Sequence, residues 1–371
     1  MSFSKFTTEY LEEMAGKFAI DGDIISIEPY GTGHINDTFC GTFKTSKGRA
    51  RYIHQRINHN IFKNPEGLMD NIERVTNHLR SKIMARGGNS ERETLTTIQV
   101  KSGGNLHKGA DGTFWRTYLF IEGAKTYDKV EDLKMVYEAS KAFGDFQKDL
   151  ADIPGGRLVE TIPDFHHTKN RFETFLQVLK ADIKGRAKDV FPEIDFVLAR
   201  KHDASKIIDN IASGALPERI THNDTKFNNV MIDDVTKKGV CVIDLDTVMP
   251  GSPLYDFGDS VRIGTSTALE DEQDLSKVGM DLNMFERLSE GYLASAKAML
   301  TPEEKELLAF SGKLLTFECG MRFLTDYLNG DTYFKVHREG HNVDRCRTQF
   351  KMVSDMEKSM DKMGAIVRKY C

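Results

Sequence analysis

The segment Ile220-Thr-His-Asn-Asp-Thr-Lys-Phe-Asn-Asn-Val-Met-Ile232, with Val240-Cys-Val-Ile-Asp-Leu-Asp-Thr247 following a turn at Asp233-Asp234, constrains the fold of this chain more than any other. It reads as an apolar strand end, a polar loop carrying Asp224, Lys226 and Asn229, and two short strands closing on a pair of aspartates. A chain that places two clusters of carboxylates and amides at neighbouring strand ends must gather them in one cleft, so the remaining elements are expected to support that cleft.

The spacing H-x-D-x-x-x-x-N followed by I-D-x-D is that of a kinase-type phosphoryl-transfer site. A base must accept a hydroxyl proton, and Asp224 lies in the loop where it can meet a bound substrate. Magnesium needs hard oxygen ligands against phosphate oxygens, and Asn229 with Asp244 supply them. Singly, each residue is an ordinary turn former. What favours the functional reading is the two motifs occurring in order, each flanked by β-branched residues.

Length and charge fit an enzyme. At 371 residues the chain exceeds the size at which a single core keeps growing, so two lobes are expected, 1–121 and 122–371. A net charge of −5, from 51 basic and 56 acidic residues, argues against a dedicated nucleic-acid or membrane-surface protein. The five cysteines form no C-x-x-C pair, which fits a reducing cytoplasm, and no stretch approaches membrane-spanning length.

The N-terminal part reads as a short helix from Phe6 to Phe18 and a strand from Ile24 to Tyr30. The connection Gly31-Thr32-Gly33-His34 follows, then strands through Phe39 to Phe43 and Arg51 to Ile57. The glycine connection can bring backbone N–H groups close to phosphates, and the same residues suit a plain hairpin turn. The third strand lacks the lysine expected to hold the α and β phosphates; Gln55 falls at its position and Arg56 points to the opposite face, and either could serve. A helix from Pro65 to Ala85 brings Glu73 within reach of that strand, unless Glu73 is a solvated surface residue. Further strands at 94–101 and 113–121 complete a five-stranded antiparallel sheet, with 102–112 a loop and Glu122-Gly123 a hinge whose backbone would read an adenine edge.

Helical periodicity dominates from Asp128 onward, with helices expected near 136–150, from Lys169, over Phe191 to Ile211, over Asp281 to Leu300, and from a capping box at Thr301-Pro-Glu-Glu304. His166 and His167 read as loop or capping histidines more readily than as substrate contacts. The fold class is α+β: a two-lobed, protein-kinase-like architecture with an antiparallel sheet and helix in front of a larger helical lobe.

His222-Asn-Asp-Thr-Lys-Phe-Asn-Asn229, Val242-Ile-Asp-Leu-Asp-Thr-Val-Met-Pro-Gly251 and Tyr255-Asp-Phe-Gly-Asp-Ser-Val-Arg262 resemble the aminoglycoside phosphotransferase and choline kinase superfamily. Within it the chain is similar to bacterial N-acetylhexosamine 1-kinases, through Gly33-His-Ile-Asn-Asp-Thr38, Gln55-Arg-Ile-Asn-His-Asn60 and Gly320-Met-Arg-Phe323, a likeness covering nearly the whole chain. The resemblance implies ATP with Mg2+, phosphorylation of the anomeric hydroxyl of an N-acetylhexosamine, and a sugar face formed by His34, Arg322 and Tyr333. It makes Asp224 the base and Asn229 and Asp244 the metal ligands, with Asp246 as a further candidate. Asn223 and Lys226 depart from the loop residues usual in the wider superfamily. Glu318 and Arg322, four apart on a helix, could instead form a surface ion pair.

Two rivals stand beside this reading. A kinase for another hydroxyl compound, such as an aminoglycoside, calls for an acidic lining, for which Glu270-Asp-Glu272 is the candidate cluster. A non-catalytic nucleotide-binding module has no use for Asp224, Asn229 and Asp244 together.

Overall fold

The computed structural model describes residues 6–31, 33, 35–127 and 132–371. Two calls on the glycine connection, Thr32 and His34, lie outside the described residues. The N-terminal part carries α1 (Thr8–Ala15), β1 (Asp23–Pro29), β2 (Asp37–Thr45), β3 (Gly48–Ile57), α2 (Pro65–Ala85), the single turn α3 (Ser90–Glu93), β4 (His107–Lys108) and β5 (Phe114–Leu119). The strands form one antiparallel sheet in the order β1-β2-β3-β5-β4. The expected α+β, kinase-like architecture is therefore the one observed.

The fifth strand differs from expectation. Residues 94–101 run beside β5 but join it only through a Thr97–Tyr118 bridge and scattered backbone bonds, such as Ile98 N to Thr117 O at 2.8 Å. The ladder position goes instead to His107–Lys108, inside the segment read as loop. Glycines at 103 and 104 with φ of +100° and +74° turn the chain back early enough for those two residues to pair.

β6 (Ala124–Lys125) follows the hinge and pairs with β8 (Val230–Asp233), which pairs in turn with β9 (Gly239–Val242). β7 (Arg219–Thr221) pairs with β10 (Met249–Gly251). Around these short ladders pack α4 (Leu133–Leu150), α5 (Thr168–Ala181), α6 (Phe191–Leu198), α7 (Lys201–Ala212), α8 (Pro253–Gly264), α9 (Leu282–Ala296), α10 (Pro302–Asn329) and α11 (His341–Tyr370). The single helix expected over Phe191 to Ile211 is two, α6 and α7, because the chain leaves helical geometry around Arg200. The capping box at Thr301 and Glu304 forms, and buried Glu304 also pairs with Arg219 of β7 at 2.8 Å. The start of α10 is thereby tied to the strand leading into Asp224.

Two cores result. A small one, built from Leu11, Phe18, Phe39, Phe43 and Trp115, lies between α1 and the outer face of the sheet. The large one runs from Ile57, Phe114 and the buried stripe of α2 without interruption into α4, α8, α9 and α10. The helix α2 is latched to the far side by Asn71, whose amide donates to Val159 O at 2.7 Å and Val248 O at 3.1 Å. Among the described residues no helix is long and apolar enough to cross a membrane.

Helices α4 and α9 approach almost to backbone contact. A Cβ on Gly144 would stand 2.5 Å from Tyr292 O, and one on Gly291 would overlap Tyr137 O. Neither carbonyl can retreat without breaking its helix. Gly291→Ala should therefore lower unfolding stability by roughly 1–3 kcal/mol, despite alanine's better helix propensity, as urea denaturation would measure. An unchanged midpoint would show that the helix pair has slack.

Candidate active site

The loop after β7 is held from below by one carboxylate. Asp256, fully buried on α8, accepts from His222 N (2.9 Å), Asn223 N (2.6 Å) and Gln147 Nε2 (2.5 Å). Asn223 takes a left-handed conformation, φ +65°, which asparagine tolerates better than most residues. Its side chain donates to Thr247 O at 2.9 Å, and Thr247 Oγ1 donates to His222 O at 2.7 Å, so the loop is tied to the second aspartate segment from both directions.

On that support Asp224 is only partly exposed, with Lys226 Nζ at 2.9 Å. Asn229 Nδ2 donates to Asp224 O at 2.8 Å and lies 3.3 Å from Oδ2. Asp244 is a second non-glycine residue in left-handed conformation, φ +59°, at the bend where the chain leaves β9. Solvent reaches its side chain, yet the protein crowding the floor of the cleft, followed by the charges of Asp246 and Asp224, pushes its carboxyl up to about 6. Of the three neighbouring carboxylates only Asp244 lacks a cationic partner among the described residues, and a carboxyl raised in this way suits a divalent cation, which reverses such a shift. Among the described residues no cluster of three or more His, Cys, Asp or Glu is arranged as a metal cage. An amide and a single carboxylate nevertheless match magnesium, which takes most of its ligands from phosphate and water.

Asp246 does something else. Its Oδ1 lies 2.5 Å from Arg116 NH1 and its Oδ2 accepts from Asn36 Nδ2 at 2.6 Å, with both members of the Arg116–Asp246 pair almost wholly buried. Both oxygens are committed, which leaves Asp244 as the carboxylate with an open face. Arg116 sits on β5 directly opposite Gln55 of β3, and Gln55 Oε1 accepts from its Nε and NH2 at 3.0 and 2.9 Å. Sequence inspection of β3 missed this arginine because the cation is supplied from the neighbouring strand. Arg56 turns to the other face, where its Nε donates to Asp37 at 2.5 Å and its guanidinium lies 5.5 Å from the Phe6 ring. Glu73 accepts from Asn105 and makes no ion pair among the described residues, so the expected strand–helix pair is replaced by Arg116–Asp246.

Gly31 has φ +78° with open space around it, and Gly33 is likewise uncrowded. At the hinge, Glu122 bonds Arg51 (Nε to Oε1, 2.9 Å), while Arg92 donates to Glu122 O, Gly123 O and the Asp233 carboxylate.

On the far side of the cleft, Arg322 NH2 lies 3.4 Å from the Tyr333 hydroxyl, and Tyr333 is 69% exposed. The alternative read for Arg322, an ion pair with Glu318, does not form: buried Glu318 instead accepts from His166 Nδ1 (3.0 Å) and Thr168 Oγ1 (2.5 Å). His167 caps α5, as read from the sequence. Arg171 was not singled out from the sequence. Its Nε is buried without a partner, and burial, then the Arg322 charge, lowers its pKa. Among the described residues neither Arg171 nor Arg322 has a carboxylate within ion-pairing distance.

Residues 98–290, just over half of the chain, match the model of the phosphotransferase enzyme family. The chain belongs to that family. It is thus a phosphotransferase, moving phosphate onto a hydroxyl acceptor. Its fold is similar to that of an aminoglycoside phosphotransferase from Alicyclobacillus acidocaldarius, with a TM-score of 0.55 at 12% identity over 99% of this chain and 97% of that one. It is also similar to a spectinomycin phosphotransferase solved with ADP and spectinomycin, with a TM-score of 0.53 at 10% identity over 97% and 100%. The GDP complex of an aminoglycoside 2'-phosphotransferase gives 0.55 at 11% identity over 95% and 100%.

The two arginines of β3 and β5 make a comparison that tests the replaced ion pair. Arg116→Met strands a buried carboxylate and should cost roughly 3–5 kcal/mol of stability. Arg56→Met, whose partner is partly solvated, should cost about 1 kcal/mol or less. Equal losses in parallel urea melts would mean that Asp246 is satisfied without Arg116.

Proposed function

We propose that this phosphotransferase uses ATP and Mg2+ to phosphorylate the anomeric hydroxyl of an N-acetylhexosamine, giving the sugar 1-phosphate. The observation that carries the substrate class is the donor-rich face formed by Arg322 and Tyr333, with the Arg171 guanidinium beside it and no carboxylate in ion-pairing distance of either arginine among the described residues. Guanidinium and phenol groups suit ring hydroxyls and an acetamido carbonyl. A polycationic aminoglycoside would be repelled there. The acidic cluster that could have received one is engaged elsewhere: Glu270 faces Arg262 and Arg345, and Asp271 faces Arg338 and His341.

In this reading residues 1–121 hold the nucleotide, with Gly31 and Gly33 over its phosphates and the Glu122 backbone beside its base. Gln55 acts through Arg116, and Arg56 and Glu73 have structural roles. Asn229 and Asp244 would hold Mg2+, which when bound offsets the charge of the β and γ phosphates. Asp224 accepts the proton of the acceptor hydroxyl as its oxygen bonds to the γ phosphorus, the bond to the β–γ bridging oxygen breaks, and ADP leaves with that electron pair. An anomeric hydroxyl is more acidic than other sugar hydroxyls, so a carboxylate base suffices. Lys226, beside Asp224, stabilises the ionised base and faces the charge that gathers at the transferring group. His34 is assigned to the sugar by resemblance alone.

Asp224→Asn should reduce kcat about 10²–10⁴-fold while leaving nucleotide affinity near its original value. Retention of most of the turnover would remove Asp224 as base. ATP consumption measured against a panel of hydroxyl compounds, with a reducing-sugar assay on the product, tests the acceptor. The expected product has lost its reducing end, and a product that still reduces would place the phosphate on another hydroxyl.

A further inference from the structure

The peptide joining Asn223 to Asp224 is gripped by two imidazoles. Its N–H donates to His222 Nδ1 at 3.3 Å, so the His222 proton sits on Nε2, which donates to Ile243 O at 2.8 Å. Its carbonyl accepts from His166 Nε2 at 2.8 Å, while His166 Nδ1 lies 3.0 Å from Glu318 Oε1. Both partners of His166 can only accept, one being a peptide carbonyl and the other a carboxylate. A neutral imidazole has one N–H and satisfies one of them; satisfying both takes the imidazolium.

The surroundings favour that charge. Glu318 is 1% exposed, and besides His166 it has only the Thr168 hydroxyl as a hydrogen-bond donor among the described residues, so a neutral His166 would leave a poorly compensated buried carboxylate. The charged and titratable groups facing the pair are Glu318 and Arg322 on α10, Asp259 and Tyr255 on α8, and Arg171 on α5. Burial works against the imidazolium, but the hydrogen bond and charge of Glu318, then Asp259, outweigh it and hold the His166 pKa above the ordinary histidine value.

We propose that His166 is a positioning residue for phosphoryl transfer: as an imidazolium paired with Glu318, it fixes the peptide that carries Asp224 and couples that base to the helix bearing Arg322. The coupling follows from spacing. Glu318 and Arg322 are one turn apart on α10, and Asn223 already holds a left-handed backbone that would relax by rotating the very peptide His166 restrains. The proposal rests on Asp224 being the base; the protonation state of His166 in the resting protein does not.

Because the folded pKa is raised, the imidazolium and its support of the loop are complete below the ordinary histidine value and are lost as pH rises through the raised one. Turnover should therefore show an alkaline fall that moves to lower pH in Glu318→Gln, where the countercharge is gone. His166→Gln keeps an N–H for the Asn223 carbonyl but carries no charge. It should lose that alkaline fall altogether, with kcat down roughly 10- to 100-fold and nucleotide KM unchanged. Proton–nitrogen NMR of the unmodified protein at about pH 7, with His166 assigned by its absence in His166→Gln, should show both ring nitrogens protonated. A neutral His166 ring at that pH overturns the proposal, and so does an alkaline limb that stays in place in folded Glu318→Gln. Since the NMR measurement needs no turnover, it is decided separately from the Asp224→Asn test of the base.

Discussion

The loop that carries Asp224 hangs on a carboxylate buried beneath it. Asp256 collects two consecutive backbone N–H groups from the loop and a side-chain amide from Gln147, which is itself bonded to the Tyr292 hydroxyl. Three helices and a strand end are thereby joined at one buried point. Removing the acceptor would leave several buried donors unsatisfied, each a larger loss than a hydrogen bond normally contributes. The left-handed turn at Asn223, and with it the aim of Asp224, is affordable only because this network over-determines it.

The sheet side uses a second buried polar device with a different logic. Where a kinase sheet ordinarily offers a lysine toward a helix glutamate, here an arginine on β5 reaches past Gln55 to Asp246. This pairing joins the sheet to the segment that carries Asp244, two residues earlier. A planar guanidinium with fixed donor directions suits the task better than a mobile ammonium, since it orients its partner as well as neutralising it.

Much of this was legible in the sequence, for reasons that separate local from tertiary signals. The loop motif, the α2 boundaries from Pro65 to Ala85 and the capping box at Thr301 are all written in consecutive residues and all appear as read. What escaped was set across the chain. His107–Lys108 forms a strand because β5 offers it an edge. Arg116 matters because of its register with Gln55. Glu318 turns away from Arg322 because His166, more than 150 residues earlier, offers a buried partner. Periodicity cannot reveal any of these, because each depends on which neighbour the fold supplies.

The latch at Asn71 and the clamp at Arg92 together redraw the mechanical boundary of the molecule. Arg92 grips both hinge carbonyls and the Asp233 carboxylate, and it sits on the short turn immediately beyond α2, which Asn71 fastens to Val159 and Val248. The α2–α3 unit is thus bolted to the helical body at both ends, even though the chain traverses it before the hinge. In packing terms α2 and α3 therefore belong with the helical body, and the hinge between sheet and body is clamped by a single guanidinium.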